Sequence, residues 1–277
     1  MLLVTGATGN IGSELVRILA TADEPVRALV RKPPATEVPG VEYVTGDLDD
    51  PASLAPALVG VRGVFLLPGY RDMPGVLDEA RRAGVERVVQ VTGGSAGSGD
   101  LGNAVSRYMI LTERAVHDSG LPWTILRPTA FFSNALRWLP KLRAGNTLRL
   151  PFAGVRAAAV DPFDIAAVAA VALREDDHEG KVYYPTGPES LLPADQVRVL
   201  GEVLGRDLRF EVQPDDEARA EMTASMPAEY VDAFFDFYVG GSLDESVVRS
   251  TVRDVTGRSP RTFREWAVAH ADEFRTS

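Results

Sequence analysis

The sequence has no cysteine, which excludes structural disulfides, thiol nucleophiles and thiolate metal centres. Its three histidines, His117, His178 and His270, lie far apart with no H-x-x-x-H spacing, so a histidine-based metal site is not expected and each reads as a surface residue. Positive charge is short: 29 Lys and Arg stand against 39 Asp and Glu, giving a formal net charge of −10. A phosphate backbone would be repelled by such a surface, and no local basic patch offsets it, so nucleic acid is not an expected partner. No apolar run reaches the length of a membrane span, and Met1 leads straight into an apolar strand without a basic leader. The expectation is a soluble, cytoplasmic protein with no membrane contact.

What is present is enough apolar residue, 45% of 277, to bury a large core, in one big α/β domain or two modest ones. Short β-branched runs alternate with helical-period segments through the first half, the pattern of βα units and a parallel sheet covered on both faces. Strands are predicted at Leu2–Thr5, Val26–Val30, Val41–Thr45, Gly63–Leu67, Arg87–Thr92 and Trp123–Leu126, with helices at Ile11–Ala22, Ala52–Val59, Pro74–Ala83 and Asn103–Ser119. Gly60, Gly84 and Gly120 stand where helices would close on a left-handed residue. After Pro128 the texture turns aromatic and irregular. Helices are expected at Pro162–Arg174, Ala194–Leu204, Pro227–Tyr238, Glu245–Thr256 and Thr262–Ala271, with strands at Lys181–Pro185 and Leu208–Val212. The fold class read from this is α/β: a Rossmann doubly wound parallel sheet over residues 1–150, with a returning strand near 181–185, and a smaller α+β substrate lobe over 151–277.

The run Val4-Thr5-Gly6-Ala7-Thr8-Gly9-Asn10-Ile11-Gly12 follows a strand and opens a helix. Gly6 permits a tight turn, Gly9 lets backbone amides approach a pyrophosphate without a Cβ in the way, and Gly12 allows close helix packing. The helix start presents free N–H groups and a positive dipole end to phosphate. The three-and-three glycine spacing resembles the short-chain dehydrogenase/reductase superfamily and its extended and atypical members. In an NAD-selective site a carboxylate ends the second strand to meet the ribose 2′-hydroxyl; here Val26–Val30 ends in Arg31-Lys32. Arg31 is therefore expected to meet a 2′-phosphate and select NADP(H), the alternative being two solvated surface cations. Asp47 is placed to accept from the adenine amino group, and Leu48 to pack on the ring. Thr8, Asn10 and Ile11 in the turn, Leu67, Thr92 and Gly93 at strand ends, and Pro128 and Thr129 after the sixth strand complete the expected cofactor contacts.

The segment Ser119-Gly120-Leu121-Pro122-Trp123-Thr124-Ile125-Leu126-Arg127-Pro128, followed by Phe131-Phe132 and Asn134, resembles the NmrA-like atypical short-chain dehydrogenases, in particular their NAD(P)H:quinone reductase-like subgroup. Val160-Asp161-Pro162-Phe163-Asp164-Ile165-Ala166, Tyr184-Pro185-Thr186-Gly187-Pro188-Glu189 and Thr256-Gly257-Arg258-Ser259-Pro260-Arg261-Thr262-Phe263 extend the likeness over nearly the whole chain. The resemblance implies NADPH-dependent reduction of quinones, enones or aromatic natural-product precursors, or sensing of the dinucleotide without turnover. A natural-product tailoring reaction is a third alternative, and a homodimer is compatible with the sequence.

The superfamily pairs a general-acid Tyr with a Lys four residues on. Tyr108 occupies the expected helix, but Thr112 stands where the Lys belongs. Tyr108 is thus either a proton donor without its usual activator or a packing residue. Ser95 either hydrogen-bonds a substrate carbonyl or is an ordinary loop serine, in a segment from Gly93 to Gly102 whose glycines suggest mobility. Quinone reduction tolerates the missing Lys, because the electron-poor ring stabilises the developing oxyanion. Phe131, Phe132, Trp138, Phe152, Phe234, Phe235, Phe237 and Tyr238 either line an apolar pocket for a flat substrate or fill the core of the second lobe.

Overall fold

The computed structural model describes residues 1–275. In chain order the elements are β1 (Leu2–Val4), α1 (Asn10–Thr21), β2 (Val26–Val30), β3 (Val41–Thr45), α2 (Ala55–Leu58), β4 (Gly63–Leu66), α3 (Met73–Arg82), β5 (Arg87–Val91), α4 (Ala104–Asp118) and β6 (Trp123–Leu126). There follow α5 (Leu139–Ala144), β7 (Thr147–Leu150), α6 (Pro162–Arg174), β8 (Lys181–Tyr183), α7 (Pro193–Leu204), β9 (Arg209–Val212), α8 (Asp215–Thr223), α9 (Ala228–Tyr238), α10 (Thr251–Thr256), α11 (Phe263–Ala269) and α12 (Ala271–Arg275). Among the described residues, no helix is long and apolar enough to cross a membrane.

Seven strands form one sheet in the order β3-β2-β1-β4-β5-β6-β8, and every pairing in it is parallel. The first six strands are the Rossmann order, with the reversal of winding between β1 and β4. Strand residues divide by parity between the two faces. Leu2 and Val4 pack with Ile11, Leu15 and Leu19 of α1 and with α6, while Leu3 packs with Leu77 of α3 and Val116 of α4 on the opposite side. Ile11, Leu15, Val16 and Leu19 recur at helical spacing, which is why α1 buries one stripe against the sheet.

The chain crosses the expected boundary at residue 150 in both directions. β7 lies before it but pairs in parallel with β9, in a separate two-stranded sheet of the smaller lobe. α6 lies after it but packs on α1 and the large sheet, with α10 against its outer side. The smaller lobe has its own core of Phe132, Leu148, Leu200, Phe263, Trp266 and Phe274. Two motifs of the second half act as a clamp rather than as chemistry. Asp161 caps α6 by accepting the Phe163 amide, Asp164 accepts the Arg261 amide at 2.7 Å, and Arg258 pairs with Asp164 at 2.9 Å. Arg258 and Arg261 both lie over the Phe163 ring, so the C-terminal segment is pinned to the start of α6.

The predicted helix at Glu245–Thr256 forms only over Thr251–Thr256. Upstream of it the chain is extended, because its backbone bonds sideways: the Ala158 amide donates to the Glu245 carbonyl at 2.7 Å, and the Arg249 amide to Thr186 Oγ1 at 2.9 Å. α8 was not foreseen, its strongly acidic, weakly amphipathic sequence resembling a loop.

Candidate functional site

At the carboxyl end of β1 the glycine-rich turn is built by close approach of backbone. Gly6 adopts φ +58°, and a Cβ there would fall 2.4 Å from Leu67 Cδ1. A Cβ on Gly12 would fall 2.1 Å from the Gly6 carbonyl oxygen, so α1 can start where it does only if residue 12 has no side chain. Gly12 thus packs against the turn itself, a tighter constraint than packing against the sheet. The Gly9 amide bonds the Gly6 carbonyl at 2.9 Å, and Gly9 caps α1 with no side-chain cap and no acid in the first turn. The positive end of α1 is therefore left to an anion. Thr5 Oγ1 is buried beside this turn, next to the Tyr70 hydroxyl.

Arg31 and Lys32 are exposed at the end of β2, and neither forms an ion pair among the described residues. Asp47 is exposed too, with one carboxylate oxygen accepting the Asp49 amide at 2.9 Å. Leu48 is buried in the core beneath. Thr8 and Asn10 are exposed in the turn and Ile11 is buried under it, so backbone amides and the Asn10 side chain are what the turn presents. Leu67, half-buried, packs directly beneath Gly6. Tyr70, which sequence reasoning missed, stands after β4 on the other side of the crevice. Burial pushes its phenol up, against the hydrogen bond with Thr5, while the Asp49 carboxylate adds to the rise and Arg31 opposes it. An aromatic in the turn after β4 was the available signal.

At the next strand ends, Thr92, Glu113 and Arg127 form a buried network. Thr92 Oγ1 donates to Glu113 at 2.6 Å, Arg127 makes a bidentate pair with Glu113 at 2.9 and 2.6 Å, and its other nitrogen donates to the Tyr184 hydroxyl at 2.7 Å. Glu113 holds Arg127 firmly protonated. The network joins β5, β6, α4 and the chain after β8, and its polar groups satisfy one another rather than reaching for a ligand. The Gly93 to Gly102 segment is likewise ordered. The Gly94 amide bonds the Pro128 carbonyl, Ser98 Oγ the Ser95 carbonyl, and Gly102 the Asp100 side chain. Ser95 is buried at its start. Thr129 is spent on structure: its hydroxyl donates to the Ala158 carbonyl at 2.7 Å.

Tyr108 points to the β4–α3 side of α4, where its ring would touch a Cβ on Gly69 at 2.7 Å. Burial and the neighbouring phenols of Tyr230 and Tyr70 push its hydroxyl up to about 12, the opposite of what an activating Lys would do. Thr112, in place of that Lys, bonds back to the Tyr108 carbonyl.

A cavity of about 230 Å³ opens in the second half of the chain, starting at Ala130 and Phe131, two and three residues past Pro128. The expected aromatics divide between its wall and the core. Phe131, Trp138, Phe152 and Tyr238 line it, whereas Phe132 is buried edge-on against Phe263, and Phe235 in the cluster under α8 and α9. Phe152 has φ +56°, an unfavourable backbone held by ring contacts with Phe235 and Tyr238 at 5.3 and 5.0 Å. Neither Tyr108 nor Ser95 lines this cavity. One bond ties the glycine turn to the segment beside the cavity: Asn10 Nδ2 donates to Ser133 Oγ at 3.1 Å, in the 3-10 turn Phe132–Trp138 whose Asn134 and Trp138 line the cavity. α9 is anchored over it by Asn103, which caps α4 and donates to the Ala233 carbonyl and to Asp236.

Comparison with known proteins agrees with this geometry. A family model described as NAD(P)H-binding matches residues 6–176. A (4-alkanoyl-5-oxo-2,5-dihydrofuran-3-yl)methyl phosphate reductase of Streptomyces griseus is 40% identical over 280 residues, covering 99% of both chains. An NAD(P)H azoreductase of Xenophilus azovorans is 37% identical over 284 residues, again covering 99% of each. The fold matches that of an NADPH-dependent quinone oxidoreductase of Escherichia coli solved with NADPH, at a TM-score of 0.81 and 24% identity, over 98% of this chain and 100% of that one.

Proposed function

The chain belongs to the NAD(P)H-binding family, and from that premise we propose that it is an NADPH-dependent oxidoreductase that reduces an uncharged quinone or enone. The observation that carries this reading is the Asn10–Ser133 bond, which ties the glycine-rich turn to the segment whose Asn134 and Trp138 line an apolar cavity. Gly6, Gly9 and Gly12 shape that turn, the uncapped start of α1 meets the pyrophosphate, and Thr5 Oγ1 and Asn10 are the polar side chains nearest it. Arg31, exposed and unpaired, takes the 2′-phosphate; Asp47 meets the adenine edge with its second oxygen; Leu67 and the backbone at Gly93 and from Pro128 to Ala130 lie on the nicotinamide side. The bound nicotinamide supplies a hydride.

The residues of the chain then orient the acceptor and exclude water around it. Phe131, Trp138, Phe152 and Tyr238 give flat walls for a ring, and Asn134 stands exposed at the mouth. The cavity lining itself carries no cation to pair with a phosphate such as the one named for the Streptomyces relative's substrate, Arg137 acting on Tyr238 from outside the lining. An uncharged acceptor fits best.

A second reading, a dinucleotide sensor without turnover, is favoured by Thr112 and by the raised Tyr108 phenol, which remove the superfamily's acid. Mixing the protein with NADPH and a panel of quinones and enones separates the two. Oxidation of NADPH by any of them is the expected result; tight NADPH binding without oxidation across the panel would establish the sensor.

A further inference from the structure

The cavity wall contains one carboxyl group, Glu245, only 8% exposed and beside the Tyr238 ring. Tyr238, at the end of α9, donates its hydroxyl to Glu245 Oε2 at 3.0 Å, and the backbone amide of Ala130 also donates to the carboxyl. Glu245 owes this position to the extended chain before α10, whose bond from the Ala158 amide turns the side chain inward. Its charged neighbours are few. Arg137, on the 3-10 turn, acts on Tyr238, while Arg156 is spent on the Ser190 carbonyl and Asp195 on the Leu192 amide. No cation is paired with Glu245 among the described residues, and burial pushes its carboxyl up from the ordinary glutamate value. Burial likewise pushes up the Tyr238 phenol, so Tyr238 remains a donor.

We infer that Glu245 is the proton donor for an enone or quinone held in this cavity, with Tyr238 as its positioning residue. The inference rests on the reductase reading above. A hydride from NADPH adds at the β-carbon of the C=C–C=O unit, the π pair moves to form an enolate, and NADP⁺ is left. The Glu245 O–H bond breaks and its proton goes to the enolate. The new carboxylate keeps the hydrogen bonds from Tyr238 and the Ala130 amide until water entering past Asn134 protonates it again. This supplies the acid that Tyr108, remote from the cavity, does not.

The test uses Glu245→Gln and Tyr238→Phe in the full chain, with NADPH and cyclohexenone or menadione as probes. Infrared spectra should show a carboxyl that stays protonated above the ordinary glutamate range and is absent from E245Q. The NADPH dissociation constant of E245Q should be unchanged, while kcat for cyclohexenone falls on the order of a hundredfold or more, as loss of a general acid does. The wild-type kcat should fall as pH rises through the raised Glu245 pKa. E245Q should lose that limb, and Y238F should move it to higher pH, because the carboxylate has lost a donor. A wild type with no protonated carboxyl, or an E245Q that keeps the wild-type kcat and pH profile, would overturn the assignment. A wild type that binds NADPH but reduces no acceptor would sink the reductase reading and the donor role together, which is a different result from either.

Discussion

The two halves of the site are made in different ways. The dinucleotide side is made of backbone: the left-handed Gly6, the missing Cβ atoms of Gly9 and Gly12, and the open start of α1, all within a dozen consecutive residues. The acceptor side is made of side chains from segments distant in sequence, with Phe131, Phe152, Gln196, Tyr238 and Glu245 brought together by the fold of the second half of the chain. Close backbone approach leaves a local mark in the sequence, since only glycine permits it. Convergence of side chains leaves none. The difference teaches where each half is fragile: the first at single glycines, the second at the contacts that hold the lobes and strand ends in register.

The largest effect should come from the network that joins those strand ends. Arg127→Ala leaves Glu113 buried with only Thr92 as a partner and should cost about 3–5 kcal/mol of stability in denaturant unfolding. A loss below 1 kcal/mol would mean that the pair is not held as tightly as its distances imply. On the dinucleotide side, Gly12→Ala sets a Cβ against the Gly6 carbonyl and forces the turn to move. Misplacement on that scale should weaken NADPH binding on the order of a hundredfold, and the backbone overlap should lower the unfolding midpoint as well. Arg31→Asp should weaken NADPH binding by on the order of 2 kcal/mol or more and leave NADH binding intact. Equal losses for both cofactors would detach Arg31 from the 2′-phosphate.

The acceptor side gives the smallest effect and a pH signature. Glu245 is protonated more readily in the folded state than in the unfolded chain, whose value is about 4.5. The folded state therefore holds the extra proton, and its stability falls as pH rises above that value, until pH passes the raised folded pKa. E245Q has no such proton to lose. Its Tm relative to wild type should climb steadily over that window; a difference independent of pH would place Glu245 in a more solvated setting than its burial implies.

Much of the fold was legible because periodicity and punctuation agree. The six strands read from β-branched runs are the first six of the sheet, each ending within one residue of the expected place. The seven-stranded sheet needed the return of β8, which the sequence also signalled. Glu245 was not legible. In Leu-Asp-Glu-Ser-Val it resembles the first turn of a solvated helix, and only the sideways bond from Ala158 makes the segment extended and turns the carboxyl inward. The Arg127–Glu113 pair escaped for the same reason, its partners being brought together by the packing of α4 across β5 and β6. Tyr108 was legible as a motif position, whereas its placement beside Gly69, outside the lining of the cavity, was not.

The most direct test of the account is hydride transfer itself. NADPH deuterated at nicotinamide carbon 4 should yield, with an enone acceptor, a product one deuterium heavier at the β-carbon, and NADP⁺ in equal amount. Product without deuterium, or NADPH recovered unoxidised from a complex that demonstrably holds both ligands, would contradict it.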